Sequence, residues 1–298
     1  MTRKVFRDPA LQKQFDRNGF VAVPMLTEEE VARLHLEIAA LRPADAWAPD
    51  GRGPAMNSYH CSFLDTDRAF KRAAYDLLAA AFSRTIERYL DAYRPLSANF
   101  YSKPSGRGRI PVHQNWPVLD DLNATSVTVW CALVDVSEDN GTLYMVPGSH
   151  KLLPHVEGPR SPAYFSAFDD QLWDCLRPLT ASAGAGFIFD DSIVHGSPDN
   201  AADEARLAVQ ITCVPDESRP VFYFGPQDDG FELIDADSDF YLDQHVTQLA
   251  VRQPDWIGRG RARNRNRLID KAEFLALLES RGTPRAGIRS FFGRLLGG

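Results

Sequence analysis

The chain has 298 residues, 44% hydrophobic and 24% charged, a composition ordinary for a folded globular protein and unlike that of a disordered one. Its formal net charge of −7 argues against nucleic acid or an anionic membrane as the main partner. No apolar run approaches a membrane span, and the charged first residues lead into no signal-peptide core, so a cytoplasmic enzyme or binding protein is the expectation. Cys61, Cys131, Cys175 and Cys213 form no CxxC pair, which points to free, mostly buried thiols in a reducing compartment.

In chain order, residues 8–17 carry a short helical pattern with Leu11 and Phe15 four apart, broken by Asn18-Gly19. Residues 20–24 read as a strand. Thr27 and Glu30 have the spacing of a capping box, and Val31, Leu34, Ile38 and Leu41 behind them keep the three-to-four period of an amphipathic helix that stops at Arg42-Pro43. The Pro/Gly/Asp-rich segment 43–55 is a loop. A longer helical stripe follows over 66–93, through Phe70, Ala74, Leu77, Leu78, Phe82, Ile86 and Leu90.

From residue 96 the texture changes to short β-rich runs separated by turn residues: 97–102, 112–116, 126–136, 142–146, 186–189, 207–214 and 221–224. Asp139-Asn140-Gly141 is a hairpin signal and Pro147-Gly148-Ser149 another turn. Many short strands with few helices between them favour a jelly roll or sandwich over a parallel α/β sheet. The insertion at 151–180 is a lid or an extended loop. Past 225, the acidic run 235–239 fails the EF-hand spacing and reads as a solvated turn. Arg259, Arg261, Arg263, Arg265 and Arg267 alternate, either on a solvated loop or as a grip for an anion, and 271–278 is patterned as a final helix. The organisation expected is one domain over 1–298, with a helical lead-in (1–95), a β core (96–225) and a C-terminal extension (226–298).

The chemistry concentrates in His113-Gln114-Asn115. If the run is extended, His113 and Asn115 project to the same face. A His and a carboxylate two apart, with a distant second His, make the facial triad of non-haem Fe(II) oxygenases. Here an amide stands where that carboxylate belongs. Asp120 and Asp121 are substitutes only if no turn intervenes, and Pro117 favours a bend. A second His follows in Asp190-Asp191-Ser192-Ile193-Val194-His195-Gly196-Ser197, and Arg206 comes eleven residues later. Each signal alone also fits a satisfied core residue; their order along the β half makes the set specific.

In Phe15-Asp16-Arg17-Asn18-Gly19-Phe20-Val21, in Val112-His113-Gln114-Asn115-Trp116, in 141–150 ending Val-Pro-Gly-Ser-His150, and in His195-Gly196-Ser197-Pro198-Asp199-Asn200 with Arg206, the chain resembles the phytanoyl-CoA dioxygenase family of Fe(II)/2-oxoglutarate oxygenases. That resemblance implies a mainly β fold with flanking α, a double-stranded β-helix (jelly-roll, cupin-like) core with N-terminal helices. It implies Fe(II), 2-oxoglutarate and O2 as cofactor and cosubstrates, and a small-molecule substrate. His113 and His195 would be imidazole ligands with Asn115 in the carboxylate position. Arg206 would hold the far carboxylate of 2-oxoglutarate, a task for a planar bidentate donor. Ser197 and Asn200 would support the cosubstrate or stabilise a turn, and His150 would not be a ligand. Tyr59 and His60 are candidate substrate contacts, and Trp116 is either a pocket wall or a core aromatic. Three readings stay open: a working oxygenase with Asn115 as a weak ligand, a relative that binds metal or 2-oxoglutarate without turnover, and an unrelated β-sandwich binding protein. The substrate and the oligomeric state are not legible.

Overall fold

The structure is a computed structural model that describes residues 3–42, 58–121, 123–153, 156–159, 161, 165, 167–227, 230–244, 248–266 and 268–281. The loop expected over 43–55, part of the 151–180 insertion and Arg267 lie outside those residues.

Local chemistry sets the first elements. Asp8 accepts from the Ala10 N–H and so caps α1 (Pro9–Asn18), while Pro9 sits in the first turn, where its missing N–H costs nothing. Gly19 ends the helix at φ 83°, and a Cβ there would lie 2.6 Å from His150 Nδ1, so backbone and space both require glycine. β1 (Phe20–Pro24) follows. The capping box forms as expected: Thr27 Oγ1 accepts from Glu30 N, and the Glu30 carboxylate accepts from Thr27 N, opening α2 (Glu28–Leu41). Beyond β2 (His60–Cys61), Asp67 caps α3 (Arg68–Tyr89), which buries Phe70, Ala74, Leu78, Phe82 and Ile86 along one side.

The remaining strands are β3 (Tyr93–Lys103), β4 (Ile110–His113), β5 (Val127–Ala132), β6 (Leu143–Met145), β7 (Arg177–Leu179), β8 (Ala185–Asp190), β9 (His195–Ser197) and β10 (Arg206–Pro215), with the one-turn α4 (Asp169–Leu172) before β7. They build a six-stranded antiparallel sheet, β1-β8-β5-β10-β3-β2, and a four-stranded one, β4-β9-β6-β7. Period-two alternation divides the large sheet cleanly. Val127, Val129 and Cys131 of β5, Ile188 of β8, and Val209 and Ile211 of β10 pack outward with Leu34, Ile38, Leu78 and Phe82 of α2 and α3. Trp130, Phe187, Phe189 and Ala208, one residue out of phase, pack inward against Leu143, Met145 and Leu179 of the small sheet. Each fully buried Phe or Leu contributes about 1.5–3 kcal/mol of transfer free energy, so α2 and α3 are fastened to the outer face of the large sheet through this cluster. Two facing antiparallel sheets with helices on the outside of the larger one are the expected double-stranded β-helix.

Several expectations are corrected. β1 and β2 hydrogen-bond into the large sheet, so the first 95 residues supply part of its wall. β3 starts at Tyr93 and takes in Pro95, whose missing donor falls where the register shifts between Thr212 and Cys213. The strand expected over 112–116 ends at His113, and the one over 126–136 ends at Ala132. β11 (Val221–Gln227), β12 (Gly230–Asp235) and β13 (Gly258–Arg263) form a third sheet that crosses the expected boundary at 225. That sheet and α5 (Ser238–Asp243) enclose Phe222, Ile234, Tyr241 and Trp256. The outer face of the small sheet is covered from the 151–180 segment and from α6 (Lys271–Ser280), through Phe165, Phe168, Leu172 and Phe274 on Val112 and Val194. Where it is described, the insertion therefore serves as packing. Arg259 lies on β13 with Asp235 and Asp120 beside it, not in the interior. Cys61, Cys131, Cys175 and Cys213 are free thiols, three of them buried.

Candidate active site

The site forms where β4 and β9 pair at the end of the small sheet. Ile110 pairs with Ser197 but His113 with His195, so three steps on β4 match two on β9. This bulge contains Pro111, which has no N–H to lose, and it turns His113 directly across from His195. Directly opposed residues on antiparallel strands share a face. The two rings accordingly sit 4.2 Å apart, centroid to centroid, tilted by 48°.

Backbone carbonyls decide the tautomers. His113 Nδ1 lies 2.8 Å from Pro111 O, and His195 Nδ1 lies 2.9 Å from Ile193 O. A carbonyl only accepts, so Nδ1 carries the proton in both rings and each Nε2 presents a lone pair. Burial lowers the pKa of His113, which keeps that ring neutral, as a metal ligand must be.

Turns far apart in sequence hold the pair in place. Ser149 Oγ, in the Pro-Gly-Ser-His turn, accepts from Val194 N immediately before His195. Gly148 N donates to Asn18 O and Asp190 N to Gly19 O, so the Asn-Gly turn, the Pro-Gly-Ser-His turn and the loop before His195 are tied into one knot. On the other strand, Asp169 accepts from Val112 N, and Gln114 Nε2 donates to Ser192 O. His150 packs against Phe15 and lies 3.2 Å from Asp16 O, away from the imidazole pair.

Asn115 lies beyond the end of β4, so strand parity is not what places it. Its backbone N–H donates to Asp191 O, and its Nδ2 donates to Asp191 Oδ1 and Thr128 Oγ1. Asp191 is 1% exposed, and burial raises its carboxyl to about 6, with hydrogen bonds from Ser126, Thr128 and Asn115 opposing the rise. Asp120 and Asp121 are not substitutes. Asp120 lies 3.6 Å from the Arg259 guanidinium, and Asp121 accepts from Asn123 N. Among the described residues, no group of three or more His, Cys, Asp or Glu side chains is arranged to hold a metal ion.

A cavity of about 550 Å³, open at one side, runs inward from the imidazoles. His113, Asn115, His195, Ser197, Arg206 and Tyr59 all line it, joined by Tyr101, Trp130, Phe189 and Gln210. Arg206 opens β10 with its guanidinium 5.6 Å from the centre of the Trp130 ring; burial lowers its pKa to about 10, so the cation persists at neutral pH. Its Nε is buried without a hydrogen-bond partner. Lys103, opposite Arg206 in the register, is fully buried and donates to Ser197 Oγ and Pro198 O. Burial, with Arg206 adding to it, brings Lys103 down to about 6.

The other sequence candidates fall elsewhere. Asn200 is fully buried and pins its own loop, donating to Lys103 O and Glu204 O and accepting from Ala202 N. Trp116 packs against Phe222 in the C-terminal cluster. His60 is a correction: its side chain stacks near Phe70 and Phe100 in the interior, off the cavity lining, because β2 pairs with β3 and turns it inward. Burial lowers His60 to about 4 from an unfolded value near 6.5. Between these pH values the unfolded chain binds more protons, so this contribution is complete above pH 6.5 and is lost as pH falls toward 4. His60→Phe should therefore flatten the acid loss of stability over that window by roughly 3 kcal/mol, read from denaturant melts at pH 7 and pH 4.5.

Sequence reasoning missed Lys103, Tyr101, Thr128 and Asp191. The first two show only as inward positions of a strand whose register is not local information. Asp191 sits four residues before His195 in a segment already marked, but nothing in the sequence says which side chain it meets.

Paired imidazoles at the open end of a double-stranded β-helix, with a buried arginine on the wall behind, define the architecture of the non-haem iron, 2-oxoglutarate-dependent oxygenase class. Within that class, the family model described as Phytanoyl-CoA dioxygenase (PhyH) matches residues 15–208, and the chain belongs to this family. An ectoine dioxygenase of Stutzerimonas stutzeri is 25% identical over 275 residues, covering 78% of this chain and 88% of the relative. An ectoine dioxygenase of Streptomyces avermitilis is 26% identical over 234 residues, 67% of this chain and 76% of the relative. Among solved structures, the epimerase SnoN in complex with Fe3+, alpha ketoglutarate and nogalamycin RO shares 25% identity at TM-score 0.51, covering 72% of this chain and 86% of that one. The carbocyclase SnoK from nogalamycin biosynthesis, at 18% identity and TM-score 0.52 over 72% of this chain and 86% of its own, shares the fold. No helix among the described residues is long and apolar enough to cross a membrane.

Proposed function

We propose that the chain is an Fe(II)- and 2-oxoglutarate-dependent oxygenase that oxidises a C–H bond of a small molecule, with Asn115 in the position of the usual carboxylate ligand. The observation that carries this reading is the cross-strand His113–His195 pair, both rings held by backbone carbonyls at Nδ1, at the mouth of a cavity whose wall carries a buried arginine. These residues fit the two groups. Both Nε2 lone pairs suit a divalent cation, and the orphaned Arg206 Nε marks a buried cation without its anion.

His113, His195 and the amide oxygen of Asn115 would hold the iron. Arg206 would hold the far carboxylate of 2-oxoglutarate. Bound iron supplies the oxidising power by coupling decarboxylation of 2-oxoglutarate to O2 reduction, giving succinate and CO2. The protein does the rest by placement. Arg206 offers a rigid fork in a water-poor site, where its hydrogen bonds are strengthened. Trp130 and Phe189 exclude water from the inner wall, and Tyr59 and Tyr101 line the cavity as an aromatic surface with phenol groups. Burial raises both phenols, so they remain protonated donors for a substrate or cosubstrate oxygen.

The absence of a third anionic or imidazole ligand among the described residues favours a second reading, in which metal and 2-oxoglutarate bind without turnover. Anaerobic addition of Fe(II) and 2-oxoglutarate separates the two. A visible charge-transfer band followed by succinate on admission of O2 supports the oxygenase. The band without succinate supports the binding protein. No band at saturating iron sinks both.

A further inference from the structure

Asp191 grips residue 115 at two places. The Asn115 backbone N–H donates to Asp191 O at 2.9 Å, and its Nδ2 donates to Asp191 Oδ1 at 3.0 Å. Thr128 Oγ1 accepts from the same Nδ2 at 3.0 Å and donates its own hydrogen to Asp191 Oδ1 at 2.6 Å. An ionised carboxylate only accepts, so this network fixes the sense of the amide: nitrogen toward Asp191, oxygen as the end that can meet a cation.

A second observation concerns charge. Buried carboxylates are ordinarily paired with a cation or a metal. Asp191 is 1% exposed, and among the described residues no Lys or Arg forms an ion pair with it. A metal held by the Asn115 amide oxygen would be a cationic centre one hydrogen bond away from Asp191.

We infer that Asn115 and Asp191 work as one ligand unit: the Asn115 amide oxygen meets the metal, and the Asp191 carboxylate behind it supplies the negative charge the ligand set lacks. Accepting a hydrogen bond from Nδ2 pushes amide electron density toward Oδ1, as a carboxylate behind a metal-bound histidine raises that ligand's basicity. The displaced charge thus acts through one hydrogen bond instead of by direct coordination. Asp191 is a positioning and polarising residue, and this inference rests on the metal site proposed above.

The test is calorimetric titration of the full chain with Ni(II), together with the d–d absorption of the Co(II) form. Asp191→Asn should weaken metal binding by about 10- to 100-fold and shift the Co(II) band. The double exchange Asn115→Asp with Asp191→Asn keeps the hydrogen bond and moves the charge into contact with the metal, so it should bind at least as tightly as the wild type. A folded Asp191→Asn protein with wild-type affinity overturns the inference and leaves the metal site standing. So does a double exchange that binds more than tenfold more weakly than wild type, and this arm stands even if the single variant does not fold. A wild-type chain that binds neither ion sinks the metal site itself.

Discussion

Replacing His195 by alanine should abolish divalent-metal binding, with an affinity loss of at least about 100-fold. The expectation exceeds what is lost when only an outer partner of a ligand is removed, about 10- to 100-fold. It follows from geometry: His195 and His113 are opposed on paired strands, and among the described residues no third His, Cys, Asp or Glu is grouped with them to hold a metal. The fold should survive. β9 is held by main-chain pairing to β4 and β6, and the Val194 N–H to Ser149 Oγ bond does not involve the imidazole. Wild-type thermal stability should therefore rise with added Ni(II), by about 2.7 kcal/mol at a hundredfold excess over the dissociation constant, and that of the variant should not move. A His195→Ala protein whose melting temperature still climbs with Ni(II) would place the metal elsewhere.

The second large effect is at Arg206. Arg206→Gln should weaken 2-oxoglutarate binding by about 2–4 kcal/mol, about 30- to 1,000-fold, because the lost partner of a buried dicarboxylate is charged and water cannot replace it. Arg206→Lys should recover little. An ammonium lacks the planar fork, and the neighbouring Lys103 amine is already committed to Ser197 Oγ and Pro198 O. Folding stability should not fall in step, since a buried guanidinium with an orphaned Nε is itself costly, and Gln leaves a smaller polar group to satisfy. Trp130 gives the readout: its ring lies 5.6 Å from the guanidinium, so indole fluorescence should report 2-oxoglutarate in the wild type. Equal affinities in wild type and Arg206→Gln would remove Arg206 from the cosubstrate site.

The elements that could be read beforehand are those with local causes. The Thr27–Glu30 capping box, the Asn18-Gly19 stop and the stripe from Phe70 to Ile86 all involve residues within a few positions of one another. β5, β8 and β10 were legible for the same reason: six or more residues are enough for β-branched and aromatic composition to register. β7 and β9, three residues each, were not, whereas the equally short β6 was, because the Asp-Asn-Gly and Pro-Gly-Ser turns on either side mark it off. β12 and β13 also escaped: no strand is legible after 225, and the arginine alternation that β13 carries reads as a loop or an anion grip. His60 shows the limit in the other direction. Its neighbourhood in the sequence suggested a cavity mouth, yet pairing of β2 with β3 turned it into an aromatic interior.

The sequence by itself determined the composition of the site: two histidines, an amide between the expected ligands, and an arginine eleven residues after the second histidine, in an order that marks the family. It also determined that residue 115 carries no charge. Only the tertiary structure decided what that means. The β4 bulge, not strand parity, aims His113, and the irregular segment beyond His113 delivers Asn115 to a buried carboxylate 76 positions later in the chain. Hydrogen bonds and charge act through space over a few ångströms, and the contact between Asn115 and Asp191 exists only once the two sheets have packed.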